Sequence, residues 1–251
     1  MGHSWRMRAR LRLRFLLLLA ALALGAQGCH YPAAVHTYEC VTDYVRMSDS
    51  YDPLLSLVYV PEATSFKDCR RITVGDVQVG QAWVDSPEEA AGYATFFRAV
   101  LRRELVKLGK FESVSLDKDE GNLAGPPQAG SLLVEGKITK FDMGSGFWRY
   151  VSYFLWFLQS GATDFQVEGR ITQADTGKLL VEFADRRRHL CNTPFGPNPH
   201  NFDKGYAMKV TVTETARCLA RFIEMGCDQL PAVHAETPAG EIVTAAAQET
   251  P

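Results

Sequence analysis

The chain has 251 residues, 46% of them apolar and 22% charged, with a formal net charge of −2. That composition belongs to a globular protein and not to a disordered one. Five of the 27 basic residues (Arg6, Arg8, Arg10, Arg12 and Arg14) lie in residues 1–28, which hold no acid, so the remainder carries 22 basic against 29 acidic groups, a net −7. Such a balance argues against a nucleic-acid partner, which calls for clustered positive charge.

The first segment reads as a signal peptide. Its arginines form a basic start, and Phe15 to Leu24 is an apolar run too short to cross a bilayer as a helix. Gly25-Ala26-Gln27-Gly28-Cys29 follows, small residues before a cysteine that resemble the lipobox of bacterial lipoproteins. The resemblance implies cleavage before Cys29 and acylation of that residue. Several acyl chains anchor a protein firmly where one holds only marginally, at ~0.8 kcal/mol per buried methylene. His30 follows the cysteine where an Asp is the common inner-membrane retention signal. The implied address is therefore the periplasmic leaflet of the outer membrane.

Residues 29–52 read as a polar, Tyr-containing tether and 53–228 as the folded domain. Leu54 to Val60 is a short β-type run. Ile72 to Val79 alternates around Gly75-Asp76, which predicts a strand with a bulge. Ser86-Pro87-Glu88-Glu89 has the form of a capping box, with Pro87 at the first helical position. The helix it opens runs to Leu108, with Ala90, Ala94, Phe97, Leu101, Leu105 and Leu108 on one face, and Gly109 is its expected C-terminal cap. The basic residues Arg98, Arg102, Arg103 and Lys107 read as its solvated back.

A short strand over Phe111–Leu116 and a loop to Gly130 come next. Three alternating strands follow, over 132–139, 165–172 and 179–184. The phrase Val134-Glu135-Gly136-Lys137-Ile138-Thr139 recurs as Val167-Glu168-Gly169-Arg170-Ile171-Thr172, which predicts two similar, neighbouring strands. Period-two patterning with one polar side suits an antiparallel sheet. Asp175-Thr176-Gly177 has the form of an aspartic-protease triplet, but between two alternating strands it reads as a turn. A second helix is expected over 204–225, with Gly226 as its cap, and residues 229–251 have the composition of a disordered tail. The predicted class is α+β: a mainly antiparallel sheet of five or six strands packed by two principal amphipathic helices.

Between the twin strands lies the most unusual stretch. Seven of the twelve residues from Phe147 to Leu158 are aromatic. Phe147, Trp148, Arg149, Tyr150, Tyr153, Phe154, Trp156 and Phe157 are candidate contact residues. Three readings stay open for them: an interfacial segment touching the membrane, a contact with a partner or second copy, or core covering the sheet.

With Cys29 lipidated, Cys40, Cys69, Cys191, Cys218 and Cys227 remain for disulfides in an oxidising compartment. Cys40 with Cys69, and Cys191 with Cys218 or Cys227, are plausible pairs. His189, Cys191 and His200 match no compact metal-binding spacing, and neither a metal nor a cofactor is expected.

The stretch from Ile72 to His189, with ITVGDVQVG, SPEEAAGYATFF, LLVEGKITKFDMGSG and DTGKLL, resembles an uncharacterised family of bacterial lipoproteins. Gly136, Gly144, Ser145, Arg149, Gly161, Asp175, Thr176 and Gly177 carry the likeness. The family is similar in fold to the periplasmic domain of the curli-secretion lipoprotein CsgG and the N-terminal domain of TolB, and it implies no catalytic residues. The expected function is a non-enzymatic envelope module that binds an envelope protein or itself. The alternatives are a hydrolase assembled from dispersed residues such as His189, His200 and Asp203, and an accessory subunit of an outer-membrane secretion or pore complex.

Overall fold

The structure, a computed structural model, describes residues 30–32, 35, 41, 44–49, 54–61, 64–81, 83–117, 130–145, 147–148, 161–189 and 203–228. Its elements are β1 (His30–Pro32), a 3-10 turn (Tyr44–Arg46), β2 (Leu57–Tyr59), β3 (Arg71–Val79), α1 (Pro87–Leu108), β4 (Ser113–Leu116), β5 (Ser131–Asp142), β6 (Thr163–Gln173), β7 (Leu179–His189) and α2 (Lys204–Asp228). The described strands make one sheet in the order β1-β7-β6-β5-β3-β4, with β2 also pairing to β7. This is the α+β class expected. The mainly antiparallel sheet has a parallel corner, because α1 carries the chain back over one face and leaves β3 parallel to both β4 and β5.

The long strands β5, β6 and β7 form the centre. The twin phrases are antiparallel neighbours, with Gly136 opposite Gly169. A Cβ at Gly169 would lie 2.3 Å from the carbonyl oxygen of Glu135 and 2.6 Å from the Phe183 ring, so only glycine lets that ring lie flat on the sheet. The bulge in β3 falls between Val74 and Val77, as the Gly75-Asp76 interruption predicts.

Both helices pack on the face that carries Val134, Ile138, Phe141, Phe165, Val167, Ile171, Val181 and Phe183, all buried in one cluster. Tyr93 meets Phe141 at 5.3 Å between ring centroids and Phe97 meets Phe165 at 6.3 Å. The Tyr93 hydroxyl donates to the Gly205 carbonyl at 3.2 Å, tying α1 to the start of α2. On the opposite face a smaller cluster joins Val41, Met47 and Ala184, with Val35, Tyr44, Leu57 and Tyr59 packed against it. The stretch read as a tether thus supplies a strand and buried side chains.

Two local expectations fail. Ser86 is extended and makes no side-chain cap, so the capping box does not close. Its carbonyl accepts from the Ala90 N–H at 2.9 Å, and Pro87 has no N–H to satisfy. Gly226 does not cap α2, which continues to Asp228. Its position answers to packing: a Cβ there would stand 2.3 Å from the Phe66 ring. Gly109 does take the left-handed capping conformation, with φ 64°. Residues 1–28 and 229–251, and most of the 117–130 loop, lie outside the described residues.

These contacts set opposite signs for two glycine substitutions. Gly169→Ala overpacks the sheet and should cost about 1–3 kcal/mol, whereas Gly92, mid-helix with nothing within 4 Å of an added Cβ, should gain about 1 kcal/mol as alanine. Urea midpoints measure both, and equal effects would overturn the packing account.

Candidate functional site

The register of the sheet sets the strand ends next to Phe147 and Trp148 in one row. Asp142 pairs with Asp164 as β5 ends and β6 begins. Thr163 pairs with His189 at the end of β7, and His30 pairs with His189 in turn. Trp83 joins this row: its carbonyl accepts from the Phe141 N–H at 3.1 Å, and the Asp85 N–H donates back to the Phe141 carbonyl at 3.2 Å.

Trp83, Phe147 and Trp148 all project there, 54%, 67% and 50% exposed. Phe147 and Trp148 meet edge to face at 5.5 Å, and the Lys140 ammonium sits 5.3 Å from the Trp83 ring centroid. For Phe147 and Trp148 the core reading fails. Arg149, Tyr150, Tyr153, Phe154, Trp156 and Phe157 lie outside the described residues. Sequence reasoning missed Trp83 as a member of this group, since 59 residues separate it from Asp142 and only the β-bridge between Val84 and Phe141 brings it in.

Two carboxylates, Asp85 and Asp142, belong to the same end. Asp142 accepts the Gly144 N–H at 2.6 Å. Burial first, and then the charge of and hydrogen bond with Asp142, push the Asp85 carboxyl above its usual range, while Lys140 pulls the other way.

Deeper in the sheet the charges are structural. Arg186 forks onto both oxygens of Asp164, and Arg187 binds Asp185 at 2.9 Å and the Leu54 carbonyl at 2.8 Å. Asp185 also accepts from the Ser56 hydroxyl at 3.0 Å and N–H at 3.2 Å. Burial pushes its carboxyl up, against the pull of Arg187 and Ser56. On the face away from the helices, Glu168 accepts from Thr139 and Gln166, both at 2.8 Å. Each of these carboxylates accepts from a protein partner.

The other sequence candidates that the structure describes lie apart along the fold. Asp203 caps α2, accepting from the N–H groups of Gly205 and Tyr206 at 2.8 and 3.3 Å. His189 ends β7, and His200 lies outside the described residues. Asp175, Thr176 and Gly177 form the exposed β6–β7 turn, with Gly177 at φ 67°. Cys69, Cys218 and Cys227 form no disulfide with one another, and Cys29, Cys40 and Cys191 lie outside the described residues. Burial leads in raising the thiols of Cys69 and Cys218, the opposite of what a nucleophilic thiolate needs. Among the described residues no group of three His, Cys, Asp or Glu side chains could hold a metal, and no helix is long and apolar enough to cross a membrane.

The far end of the sheet carries a feature with no sequence signal. Arg46, Tyr59, Pro61, Thr64, Ser65, Gln173, Lys178, Leu179 and Leu180 line an open cleft of about 510 Å³. Arg46 pairs with Glu182 and lies 4.2 Å from the Tyr59 ring centroid. The lining comes from three separate segments, brought together by the pairing of β2 with β7 and by the bridge between Ser48 and Val58.

Residues 56–191 match the family described as Domain of unknown function (DUF4410), more than half of the chain, and the chain belongs to that family. Among solved structures it is similar to protein XCC0632 from Xanthomonas campestris, of family model DUF330 (TM-score 0.41, 9% identity, covering 68% of this chain and 92% of that one). It is also similar to the PelC dodecamer from Paraburkholderia phytofirmans (0.39, 8%, 65% and 96%) and to the hypothetical protein CT253 from Chlamydia trachomatis (0.36, 12%, 63% and 99%). No curated protein matches the chain.

Substitutions at Asp185, Arg187 and Asp85 probe the charges. Asp185→Ala removes the carboxylate that faces the buried Arg187 and should cost about 3–5 kcal/mol in urea, while Asp185→Leu combined with Arg187→Met should recover most of that loss. For Asp85, the folded carboxyl titrates above its unfolded value of about 3.9. Its contribution to stability is therefore full below that value and is lost as pH rises through the folded one. Asp85→Asn should accordingly raise the Tm relative to the parent more at pH 7 than at pH 4, and an equal shift at both would contradict the perturbed carboxyl.

Proposed function

We propose that this member of the DUF4410 family is a lipid-anchored bacterial envelope protein, held by Cys29 on the periplasmic leaflet of the outer membrane, and that it works as a non-enzymatic binding or assembly module. The basic start, the short apolar run and the small residues before Cys29 support the anchor. So does the resemblance of the Ile72–His189 stretch to bacterial lipoproteins similar in fold to the CsgG periplasmic domain.

The observation that carries the reading is the pairing of His30–Pro32 with β7. The residue next to Cys29 is already part of the sheet, so an acylated Cys29 would hold the body directly against the leaflet, with almost no slack. A module without chemistry of its own fits the committed carboxylates and the raised thiols. The distal cleft, with Arg46 and Lys178 beside hydroxyl and amide groups, is the surface such a module would offer to an envelope partner.

Labelled palmitate tests the anchor. The mature chain should take up label and sediment with membranes, and Cys29→Ala should lose the label and leave the membrane fraction. A Cys29→Ala chain that stays membrane-bound, or a parent chain without label, would overturn the proposal.

A further inference from the structure

Both tryptophans among the described residues, Trp83 and Trp148, sit at one end of the body. The chain has four, at positions 5, 83, 148 and 156. Trp83 and Trp148 project from the end of the sheet where β5 stops. Trp156 lies in sequence between Trp148, six residues after the end of β5, and Gly161, two residues before β6 begins. Both flanking residues belong to this same end.

The N-terminal strand reaches the same row of residues. In the order β1-β7-β6-β5, three strand spacings separate His30 from Asp142, about 14 Å at ~4.8 Å each. Cys29 is one residue further, ~3.8 Å. The proposed acyl anchor and the exposed rings of Trp83, Phe147 and Trp148 thus emerge from one end, close together. The opposite end, at the Asp175-Thr176-Gly177 turn, stands the length of β6 away, 11 residues or about 35 Å at ~3.3 Å per residue.

We infer that this aromatic end is a membrane-docking surface whose occupant is the headgroup region of the bilayer that carries the anchor. The inference rests on the lipid-anchor reading for the position of Cys29. The residue types suit that layer: tryptophan and tyrosine rings satisfy both their apolar and their polar edges at a lipid–water boundary. Lys140, stacked by Trp83, places a cation where it meets anionic headgroups. The strands then stand away from the membrane, and the cleft lined by Arg46 and Lys178 faces the periplasm.

The test uses the full acylated protein reconstituted in phosphatidylethanolamine–phosphatidylglycerol vesicles, with and without brominated acyl chains. Once the signal segment is removed, all native tryptophan emission comes from Trp83, Trp148 and Trp156, so the parent protein alone gives a reading that needs no variant. Emission should shift to the blue on reconstitution and be quenched by brominated lipid. Two single-tryptophan variants, W83F/W156F and W148F/W156F, should each be quenched. A control with all three tryptophans as phenylalanine and Thr176→Trp should not be.

If the acylated protein sediments with vesicles while Trp83 and Trp148 stay as unquenched as the control, the docking surface is overturned and the anchor stands. If mass analysis finds no acyl group on the mature chain, the anchor is overturned and the orientation falls with it. If Trp148 is already shielded in detergent in a species of twice the monomer mass, the end is covered by a second copy, which also overturns the docking.

Discussion

The structure depends on the antiparallel register of β5, β6 and β7. Side chains alternate across a strand with period two, so a one-residue slip would exchange the faces of a whole strand. In β6 such a slip would turn Asp164, Gln166 and Glu168 towards α1 and α2 and send Phe165, Val167 and Ile171 to the other side. The opposed glycines Gly136 and Gly169 hold the register at one point, because only there can the Phe183 ring approach the backbone. The same register makes a single row of Asp142, Thr163 or Asp164, His189 and His30, and everything proposed for the aromatic end follows from that row.

Buried charge reinforces this pairing. Asp164 with Arg186, and Asp185 with Arg187, join neighbouring strands or neighbouring positions within the sheet at almost no exposure. Pairs of this kind add little net stability, since removing two ions from water offsets most of their attraction. Misplacing one is expensive, however, because a shifted register would bury each ion beside the wrong neighbour. Arg187 also reaches the Leu54 carbonyl and Asp185 reaches Ser56, so these charges fix the segment leading into β2 as well. Tyr59, at the end of β2, lines the cleft.

Much of the fold was legible because its signals are local. The twin phrases, the Gly75-Asp76 bulge, the apolar stripe of α1 and the Asp-Thr-Gly turn are each read within a single element or turn, and each reappears in the structure. What the sequence hid depends on contacts between distant segments. The parallel corner arises from where α1 returns the chain. Gly226 looked like a cap, yet it answers to Phe66, 160 residues earlier. The polar look of residues 30–47 masked a strand and the buried Val41 and Met47, since a short edge strand needs few apolar residues to pair. The exposed aromatics of the site were visible as composition, but Trp83 was not, because its membership rests on a single β-bridge to Phe141.

The two ends of the body differ in chemistry in a way that a fixed orientation would use. At one end are rings half open to solvent, a cation against a ring, and two carboxylates of which one is pushed towards its neutral form. At the other are two cations, hydroxyls and an amide around an open cleft. A protein free in solution gains nothing from keeping these apart, because it tumbles. A protein held by its first ordered strand cannot tumble: its near end meets the anchoring layer at every moment, and its far end is the part a partner encounters first. Under the proposed anchor, the short link between Cys29 and β1 would matter as much as the rings, since a long link would let the body roll and leave either end to face the leaflet.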